Sequence, residues 1–591
     1  MDSRTAAHVL TQIAELLELH GENRFKARAY STAAKAVIGL CVDDLAPLLA
    51  SGELRELRGL GPATLSVIEE LVEHGSSAYL EQLQEDTPEG LVEMLRIPGL
   101  GTAKIRAIHE SLGVETVEEL ERAARDGRVA KLKGFGARTA EKLLKGIGFL
   151  RANDTSVLFP RARAEAERLV ASVRAHPDVV RADIAGSVRR RRETARDVDV
   201  VAACSATPAR VAAYLAHAPS VTEVVGQGGP SVRVRYVDGT LLDLHCVRPE
   251  QYAVALWRAT GNAEHVREVV AHAAARGFTI AGDELRDARG APVPLEDEAA
   301  FYHALGLPYV APELREGRGE IAAGLAGELP SLVTLDDLRG VLHCHSQYSD
   351  GKSTVAEMAE AAMARGWSYL GITDHSESAF YAGGLKSDDV RRQHDEIDAL
   401  NARLGTRFRV LKGIEADILP CGRVDYSDHV LDSFDYVIAS VHSRFGMDEA
   451  RMTERVVKAL DDPHVTILGH PTGRLLLTRE PYAIDMHAII EKAADVGAAI
   501  ELNADPHRLD LDWRLCREAR SRGVPIEIGP DAHSTQGLDN VDYGVGIARK
   551  GWLGADDVLN ARTVDGVLAH ARARRARGGT RAPVPAESEA R

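Results

Sequence analysis

Seven short apolar segments in the C-terminal half of the chain each end at a residue that can bind a metal ion. Helix-like stretches separate the segments, and this alternation of strand and helix predicts a parallel (β/α)7 barrel. The segments and the residues that end them are Val341-Leu342 with His343 and His345, 369–373 with Asp374 and His375, 408–414 with Glu415, 436–441 with His442, 465–469 with His470, 498–502 with Asn503, and 524–530 with Asp531 and His533. Since the carboxyl ends of barrel strands meet at one face, we expect these side chains to form one site.

The residues at the segment ends are imidazoles and carboxylates, which suit Mn²⁺, Zn²⁺ or Fe²⁺. A carboxylate such as Glu415 can bridge two ions, and closely spaced ions can activate a shared water and clamp a phosphate ester. A single histidine would more often be a surface residue or a satisfied core residue. A whole set at strand ends, with an H-x-H pair at His343 and His345, favours a hydrolytic metal centre.

The length of 591 residues is too great for one hydrophobic core, so we expect several domains. No uninterrupted apolar stretch reaches membrane-spanning length, and the first 21 residues do not resemble a signal peptide. The six cysteines are scattered without a C-x-x-C pair, which favours a reducing compartment. These features predict a cytoplasmic protein that does not bind membranes.

The net charge of −16 argues against a generally basic, nucleic-acid-coating protein. Charge is uneven, however, because ten arginines stand against five acids between Arg161 and Arg196. Taken alone, the arginine run 189–192 is typical of a solvated surface. Beside the motifs described next, the segment indicates a local basic patch.

A glycine-containing turn occurs three times in the first 151 residues, each time ahead of an amphipathic helix. The copies are Gly59-Leu60-Gly61, Gly99-Leu100-Gly101 and Gly134-Phe135-Gly136. Glycine lets the backbone turn tightly and approach a phosphate, which the amides of a helix N-terminus then bind. One copy could be an ordinary helix cap. Three copies favour helix-hairpin-helix motifs that hold a DNA backbone without reading its sequence.

Two carboxylates, Asp197 and Asp199, lie two positions apart in an apolar segment. In a strand they project from one face, where they suit a pair of magnesium ions. Asp243, in a segment that reads as a neighbouring strand, is a third acid. With Gly186-Ser187 and arginines nearby for a triphosphate, this pattern predicts a phosphoryl-transfer site.

The motifs of residues 339–570 resemble those of the PHP (polymerase and histidinol phosphatase) family. They are His343-Cys344-His345, Thr373-Asp374-His375, Gly413-Ile414-Glu415, Val441-His442, Gly469-His470-Pro471 and Asp531-Ala532-His533. The resemblance implies up to three divalent ions, Mn²⁺, Zn²⁺ or Fe²⁺. It assigns one ion to His343, His345, Glu415 and Asp531, a second to Glu415, His442 and His470, and a third to Asp350, His375 and His533.

Residues 2–320 resemble the family X DNA polymerases, the group that includes polymerase beta. The resemblance rests on the motifs around Gly186-Ser187, Asp197, Asp243 and Thr260-Gly261, and on segments 271–280 and 311–320. It implies that Asp197 and Asp199 bind two Mg²⁺ or Mn²⁺ ions and that Asp243 binds the catalytic one. It further implies that Ser187 and Arg190 hold the triphosphate of a dNTP and that Thr260-Gly261 lines the sugar.

The chain departs from these relatives at several positions. Arg258 and Ala259 replace an aromatic pair before Thr260, and Val266 and Val270 replace an asparagine and an arginine that sense the nascent base pair. Without the aromatic pair we expect loose sugar selection. Because valine cannot donate a hydrogen bond, we also expect a slow or error-prone polymerase. Val67 stands where a lysine would form a Schiff base, so we expect no strong lyase activity from that position.

The whole chain resembles bacterial and archaeal family X polymerases with a C-terminal PHP domain. The predicted architecture is multidomain α/β, with helical helix-hairpin-helix domains, a nucleotidyltransferase-like α+β palm and the PHP (β/α)7 barrel. We place an N-terminal helical domain at 1–90, fingers-like helices at 91–151, the palm at 152–245, a nascent-base-pair subdomain at 246–320, a linker at 321–338, the PHP domain at 339–571 and a disordered tail at 572–591.

The resemblance implies a gap-filling repair polymerase fused to a phosphoesterase with 3′–5′ exonuclease, abasic-site endonuclease or 3′-end-processing activity. Its expected partners are gapped or nicked double-stranded DNA and dNTPs, and we expect a nucleoid-associated monomer. Three alternatives stay open: a nuclease with a vestigial polymerase half, a small-molecule phosphatase, and an inert DNA-end scaffold. The intact acids argue against a vestigial polymerase half. The three helix-hairpin-helix motifs argue against a small-molecule phosphatase, and two complete sets of metal ligands argue against an inert scaffold.

Overall fold

The computed structural model describes residues 1, 3–21, 24–38, 40, 44–153, 156–218, 221–236 and 240–578. The chain divides into two compact units, Met1–Thr155 and Ser156–Arg591. No helix among these residues is long and apolar enough to cross a membrane.

The first unit is helical. In α1, Ala6, Leu10, Ile13 and Leu17 recur at spacings of four, three and four, and all four are fully buried. This periodicity places one apolar face of α1 in the core of the unit. The helices are α1 Ser3–Leu19, α2 Arg24–Ile38, α3 Ala46–Ser51, α4 Glu53–Glu56, α5 Pro62–His74, α6 Ala78–Glu85, α7 Glu89–Met94, α8 Thr102–Leu112, α9 Val117–Arg125 and α10 Ala137–Asn153.

The second unit begins with a domain built on a five-stranded sheet of order β2-β4-β7-β6-β5, hereafter the central sheet. Its elements are β1 Val157–Leu158, α11 Phe159–Arg174, β2 Val179–Ile184, α12 Gly186–Arg189, β3 Thr194–Ala195, β4 Val198–Cys204, α13 Pro208–Leu215, β5 Val221–Gly228, β6 Ser231–Tyr236 and β7 Leu241–Val247. Strands β4 and β7 are parallel neighbours, and Asp199 pairs in register with Asp243.

A small lobe follows the central sheet and has its own core around Trp257, Phe301 and Tyr302. It contains α14 Tyr252–Thr260, α15 Ala263–Ala275, β8 Thr279–Ala281, β9 Glu284–Arg286, α16 Glu298–Ala304 and α17 Glu320–Ala326. The segment 321–338, predicted as a linker, is packed at both ends: Ile321 lies in the core of the lobe and Val333 in the core of the next domain.

The predicted seven-stranded parallel barrel is confirmed. Its strands pair in sequence order, and an isolated parallel bridge between Cys344 and Ala532 brings the first and last strand ends together. The elements are β10 Gly340–Val341, α18 Val355–Ala364, β11 Tyr369–Ile372, α19 Ser387–Leu404, β12 Arg409–Asp417, α20 Asp428–Leu431, β13 Tyr436–Ser440, α21 Glu449–Leu460, β14 Val465–Leu468, α22 Met486–Val496, β15 Ala499–Asn503, α23 Trp513–Ser521, β16 Ile526–Gly529, α24 Val541–Lys550 and α25 Val564–Gly578.

The interpretation of the arginine run 189–192 as a solvated surface is wrong. Each guanidinium is partly buried against a carboxylate from another part of the chain, since partly buried cations need a charge partner. The pairs are Arg189 with Glu298, Arg190 with Glu316 at 3.0 Å, Arg191 with Asp542 at 3.0 Å, and Arg192 with Glu316 at 3.7 Å. Because Asp542 belongs to α24, the run ties the central sheet to the barrel.

The C-terminal tail also differs from expectation. Helix α25 continues to Gly578, and Arg574 is buried where its guanidinium donates to the carbonyl oxygen of Asp462 at 2.7 Å. Residues 572–578, predicted to be disordered, therefore form part of the barrel. The remainder of the predicted tail, 579–591, lies outside the described residues.

Candidate active sites

The carboxyl ends of the barrel strands hold the predicted metal-binding side chains in one cluster, which is largely buried except at Asp350 and His533. His343 and His345 follow β10, His375 follows β11, and Glu415 lies within β12. The others come from the loops after β10, β13, β14 and β16: Asp350, His442, His470, Asp531 and His533. The repeated strand-helix pattern thus positions side chains that are far apart in sequence.

A first group of ligand atoms consists of His343 Nε2, His345 Nε2, Glu415 Oε2 and Asp531 Oδ1. Glu415 Oε2 lies 3.5 Å from His343 Nε2 and 3.8 Å from His345 Nε2. Asp531 Oδ1 lies 3.7 Å and 3.2 Å from the same two nitrogens. Ligands bonded to a tetrahedral ion at the usual distances lie roughly 3.4 Å from one another. His343, His345 and Glu415 are therefore close enough to hold one divalent ion, and Asp531 lies beside the two histidines.

A second group uses the other oxygen of Glu415. Its Oε1 lies 3.2 Å from His442 Nε2 and 2.9 Å from His470 Nε2, and the two nitrogens are 3.4 Å apart. Glu415 therefore presents Oε2 to the first group and Oε1 to the second, and its Oε2 also lies 2.9 Å from His375 Nδ1. This is the arrangement by which a carboxylate bridges two ions.

A third group gathers around Asp350. Its Oδ1 lies 3.6 Å from His375 Nε2 and 3.3 Å from His533 Nε2. His345 Nδ1 is 3.8 Å from the same oxygen. The structure thus brings together all nine residues. The groups overlap, because His375 Nδ1 also lies 2.9 Å from Glu415 Oε2, and the division into three ion sites stays a prediction.

Two properties of the cluster fit bound cations. Among the described residues, the buried His343 Nε2 and His345 Nε2 have no hydrogen-bond partner, although both point at carboxylates. Burial disfavours protonated histidine, yet Glu415 and Asp350 raise the pKa of His375 to about 10. The cluster is therefore a negative, buried pocket in which divalent ions would satisfy both the nitrogens and the carboxylates.

Two further carboxylates contact the Nδ1 atoms of predicted ligand histidines and orient their rings. Glu501 Oε1 lies 2.5 Å from His343 Nδ1, and Asp417 Oδ1 lies 2.7 Å from His442 Nδ1. Each fixes the tautomer that leaves Nε2 free for an ion. Neither acid was predicted from the sequence, although an acid inside a buried strand such as β15 and a second acid two positions after Glu415 were usable signals.

The acids of the central sheet form a second site. Register pairing places Asp199 beside Asp243, and Arg233 of neighbouring β6 lies 2.7 Å from carboxylate oxygens of both Asp197 and Asp243. Burial, followed by the charges of Asp197 and Asp243, raises the pKa of Asp199 to about 7. Three carboxylates held this close repel one another, and divalent cations fit such a donor set. Arg233 was not anticipated from sequence.

Only glycine fits at position 186, where the backbone passes directly beside the acidic site. Its φ is +59°, and a Cβ atom there would lie 1.7 Å from Asp199 Oδ2. The glycine therefore lets α12 start against the acidic site. The Ser187 hydroxyl that follows is buried without a hydrogen-bond partner among the described residues.

The remaining predicted nucleotide contacts lie nearby but are already engaged. Arg190 donates from Nε to Glu316 at 3.0 Å and from Nη1 to the Thr260 carbonyl. A Cβ built on Gly261 would lie 3.4 Å from Arg190 Nη1. Arg190, Thr260 and Gly261 are thus adjacent, and Glu316 sets the direction of the guanidinium.

The structure shows the surroundings of the positions at which the chain departs from the polymerase pattern. Val266 packs against the apolar core of the small lobe, and Val270 is 39% exposed. The Arg258 guanidinium lies 3.6 Å from Asp283. In the first unit, Val67 is buried in α5.

The three glycine turns of the first unit share one geometry. Gly59, Gly99 and Gly134 have φ values of +106°, +78° and +87°, which favour glycine. In each turn the next amide hydrogen-bonds back three residues, and α5, α8 or α10 begins directly afterwards. At Gly61, Gly99, Gly101, Gly134 and Gly136, an added Cβ would meet open space. No side chain therefore covers the backbone at these glycines, each of which lies just ahead of a helix N-terminus.

Comparison with protein families matches four parts of the chain. A helix-hairpin-helix domain matches residues 1–77, a SAM-like helix-hairpin-helix tandem 91–148, the DNA polymerase beta thumb 255–316 and the PHP domain 342–504.

Three curated relatives show how far the likeness extends. The "DNA polymerase/3'-5' exonuclease PolX" of Bacillus subtilis (strain 168) is 38% identical over 576 residues, which are 96% of this chain and 99% of the relative. The "Probable phosphatase TTE1963" of Caldanaerobacter subterraneus subsp. tengcongensis is 28% identical over 38% of this chain and 88% of its own length. The "Probable phosphatase CA_C0509" of Clostridium acetobutylicum is 31% identical over 34% of this chain and 81% of its own length.

Removing the charge behind His343 should weaken metal binding. We expect Glu501→Gln to lower Mn²⁺ affinity by about 10- to 100-fold, because a neutral amide makes the His343 imidazole a weaker ligand than a carboxylate does. Isothermal titration calorimetry would measure this, with Glu491→Gln on the exposed face of α22 as the matched control. Equal affinities for the two variants would show that Glu501 does not support the ligand.

Proposed function

The chain belongs to the family X DNA polymerases that carry a C-terminal PHP domain, and we propose that its two sites act in turn on one DNA terminus. It is a DNA polymerase joined to a metal-dependent 3′–5′ exonuclease. We propose short gaps in double-stranded DNA as its substrate. The observation that carries this proposal is that one chain holds both an acidic triad, with Asp199 in register with Asp243, and a largely buried nine-residue ligand cluster.

In the polymerase site, we assign Asp197, Asp199 and Asp243 to hold two Mg²⁺ or Mn²⁺ ions. When bound, these ions would offset the negative charge of the attacking oxygen and of the triphosphate. Asp243 accepts the proton of the primer 3′-hydroxyl, whose oxygen bonds to the α-phosphorus as pyrophosphate leaves. Arg233 partly neutralises Asp197 and Asp243, which keeps the acids together.

The incoming dNTP would be held by groups on both sides of the acids. Arg190 and the buried Ser187 hydroxyl bind the triphosphate oxygens, and Gly186 leaves room beside Asp199. The Thr260-Gly261 backbone lies beside Arg190 and would line the sugar. Direct charge-assisted hydrogen bonds of this kind position the phosphate for in-line attack.

In the barrel, we assign the nine-residue cluster to hold up to three Mn²⁺, Zn²⁺ or Fe²⁺ ions. When bound, the ions would activate water and neutralise the phosphodiester. Glu415 presents an oxygen to each of two groups, and Glu501 and Asp417 orient the histidines behind them. Water attacks the phosphorus, the ester bond breaks, and the terminal nucleotide leaves.

The substrate and location follow from the same features. Three exposed glycine turns support binding along a DNA backbone. We propose gapped or nicked duplex DNA and dNTPs as partners and a nucleoid-associated monomer in the cytoplasm. The same turns argue against a small-molecule phosphatase, although two of the relatives described above are named as probable phosphatases.

A nuclease with a vestigial polymerase half is the second candidate. It is supported by Val266 and Val270, neither of which can donate a hydrogen bond to a nascent base pair. The acids oppose it, because Asp197, Asp199 and Asp243 are held in register with Gly186 fitted against Asp199. We therefore favour an active polymerase of low selectivity.

Separate variants should silence each site alone. On a labelled one-nucleotide-gapped duplex with Mn²⁺ and dNTPs, Asp199→Ala should lower extension by roughly 100-fold or more and leave shortening intact. His345→Ala should do the reverse, and each variant serves as the folding control for the other. Product gels would measure both. Shortening without extension by the wild-type chain would instead favour the vestigial-polymerase alternative.

Sugar and base selection should be weak. We expect the kcat/KM ratio for dNTP over rNTP to stay below about 100, since Ala259 leaves an apolar space that rejects an added hydroxyl poorly. Single-nucleotide incorporation kinetics would give the ratio, and the double variant Arg258→Tyr, Ala259→Phe should raise it. Strict rejection of rNTPs together with high fidelity in the wild-type chain would contradict this expectation.

A further inference from the structure

Two large aromatic side chains stand exposed beside the barrel cluster. Phe380 is 85% exposed and Tyr381 61% exposed, and their rings meet edge to face with centroids 6.0 Å apart. Burying apolar surface stabilises proteins, so adjacent exposed rings commonly mark a binding surface. Hereafter these two rings are called the aromatic rim.

The turn that carries the aromatic rim is firmly held. Its neighbours Ala379 and Ala382 are buried, and the Leu385 amide donates to the His375 carbonyl at 2.8 Å. The Ser378 amide donates to Asp425 Oδ2 at 2.8 Å. The exposure of Phe380 and Tyr381 is therefore a property of an ordered turn.

The aromatic rim adjoins the cluster directly. The Tyr381 ring centroid lies 6.4 Å from that of His375 and 6.5 Å from that of His442. A phosphodiester held by the cluster would thus bring its own base within reach of the rings.

A cationic side chain also lies beside the cluster. The Arg508 guanidinium is largely buried beside the cluster, with Nε 3.4 Å from Asp531 Oδ2. Aromatic faces for bases combined with cations for phosphates are the means by which proteins bind single-stranded nucleic acids. A small phosphate monoester would use the cation but leave both rings in water.

We propose that Phe380 and Tyr381 form a stacking site for the unpaired base at a DNA 3′ terminus. The rings would hold the terminal base once it has left the duplex, because a paired base keeps its stacking partners within the duplex. This inference rests on the proposed exonuclease function and names the residues that bind the terminal base.

The test compares substrates with and without a base. Phe380→Ala and Tyr381→Ala should each lower kcat/KM on a single-stranded oligonucleotide by about 5- to 100-fold, as expected for loss of one stacked base. Cleavage of bis(p-nitrophenyl) phosphate, a diester without a base, should not change. Tyr214→Ala removes a ring that is 67% exposed on α13 and is the matched control.

A further substrate isolates the base itself. An oligonucleotide whose 3′-terminal residue is abasic should be cut as slowly by the wild-type chain as by the variants. Equal rates for variants and wild type on unpaired DNA would overturn the stacking site, and so would parallel loss of diester cleavage. If the wild-type chain cleaves the diester but never shortens DNA, the exonuclease proposal itself fails.

A separate observation concerns Lys550, the last residue of α24. Its side chain is fully buried, and Nζ donates to the Arg190 carbonyl at 3.0 Å and to Glu316 Oε1. The Trp513 ring covers it, with Nζ 4.8 Å from the centroid. A buried ammonium needs a specific charge partner, and here that partner is Glu316.

Glu316 is also the carboxylate that directs Arg190. The same Oε1 accepts from Arg190 Nε at 3.0 Å, and Asn262 Nδ2 lies 3.4 Å from Oε2. Barrel, small lobe and central sheet therefore meet at one carboxylate beside the nucleotide contacts. Loss of the ammonium would remove one of the donors that hold Glu316 Oε1, and with it part of the support for the direction of Arg190.

We infer that Lys550 is a positioning residue for Arg190, so that the barrel forms part of the polymerase's triphosphate site. This inference rests on the proposed role of Arg190. Lys550→Met should raise the KM for dNTP about 10-fold with little change in kcat, because charge-assisted hydrogen bonds are lost from the binding network. The Lys492→Met variant, which removes a lysine paired with Asp461 at 2.6 Å, is the matched control.

A double-variant cycle tests whether Lys550 acts through Glu316. Glu316→Gln should also raise the KM, and the double variant should be no worse than the more affected single variant. The inference would be overturned if the double variant raised the KM by the product of the two single effects. An unchanged KM in Lys550→Met would also overturn it. So would equal loss of bis(p-nitrophenyl) phosphate cleavage in Lys550→Met, since that would show a purely structural role.

Discussion

Buried carboxylates that require positive charge determine how this molecule is arranged. In the barrel, Glu415 and Asp531 face histidine nitrogens that only cations can fully satisfy. In the central sheet, Arg233 partly neutralises the charges of Asp197 and Asp243. Burying charge without a partner costs several kcal/mol, so each acid restricts which elements can pack beside it.

The same requirement joins the two catalytic halves. Glu316 and Asp542 receive cations from across domain boundaries, and Lys550 of the barrel reaches the backbone of Arg190. The central sheet, small lobe and barrel therefore form one compact unit and not separate domains on a tether. If the two sites act on one DNA terminus, as we propose, these contacts hold the polymerase and barrel sites within one compact unit.

Sequence patterns were most informative where function depends on local periodicity. The strand-helix alternation placed His343, His345 and Glu415 at strand ends, because each ligand directly follows or closes its own apolar segment. The glycine turns were recognisable for the same reason: the backbone geometry of Gly59, Gly99 and Gly134 is set within a few residues. The extension of α25 through 572–578 was not predicted, because an arginine-rich sequence is typical of a disordered tail. In the structure these arginines donate hydrogen bonds to backbone carbonyls of the barrel.

By itself, the sequence determined which residue types stand at each strand end and turn, and hence the two families and their metal-binding chemistry. Only the tertiary structure decided which charges meet. The pairs of Arg189 with Glu298, Arg191 with Asp542 and Lys550 with the Arg190 carbonyl are separated by 109, 351 and 360 residues. No local pattern encodes such pairs, because charge pairing depends on distance in space, which packing of the whole unit sets.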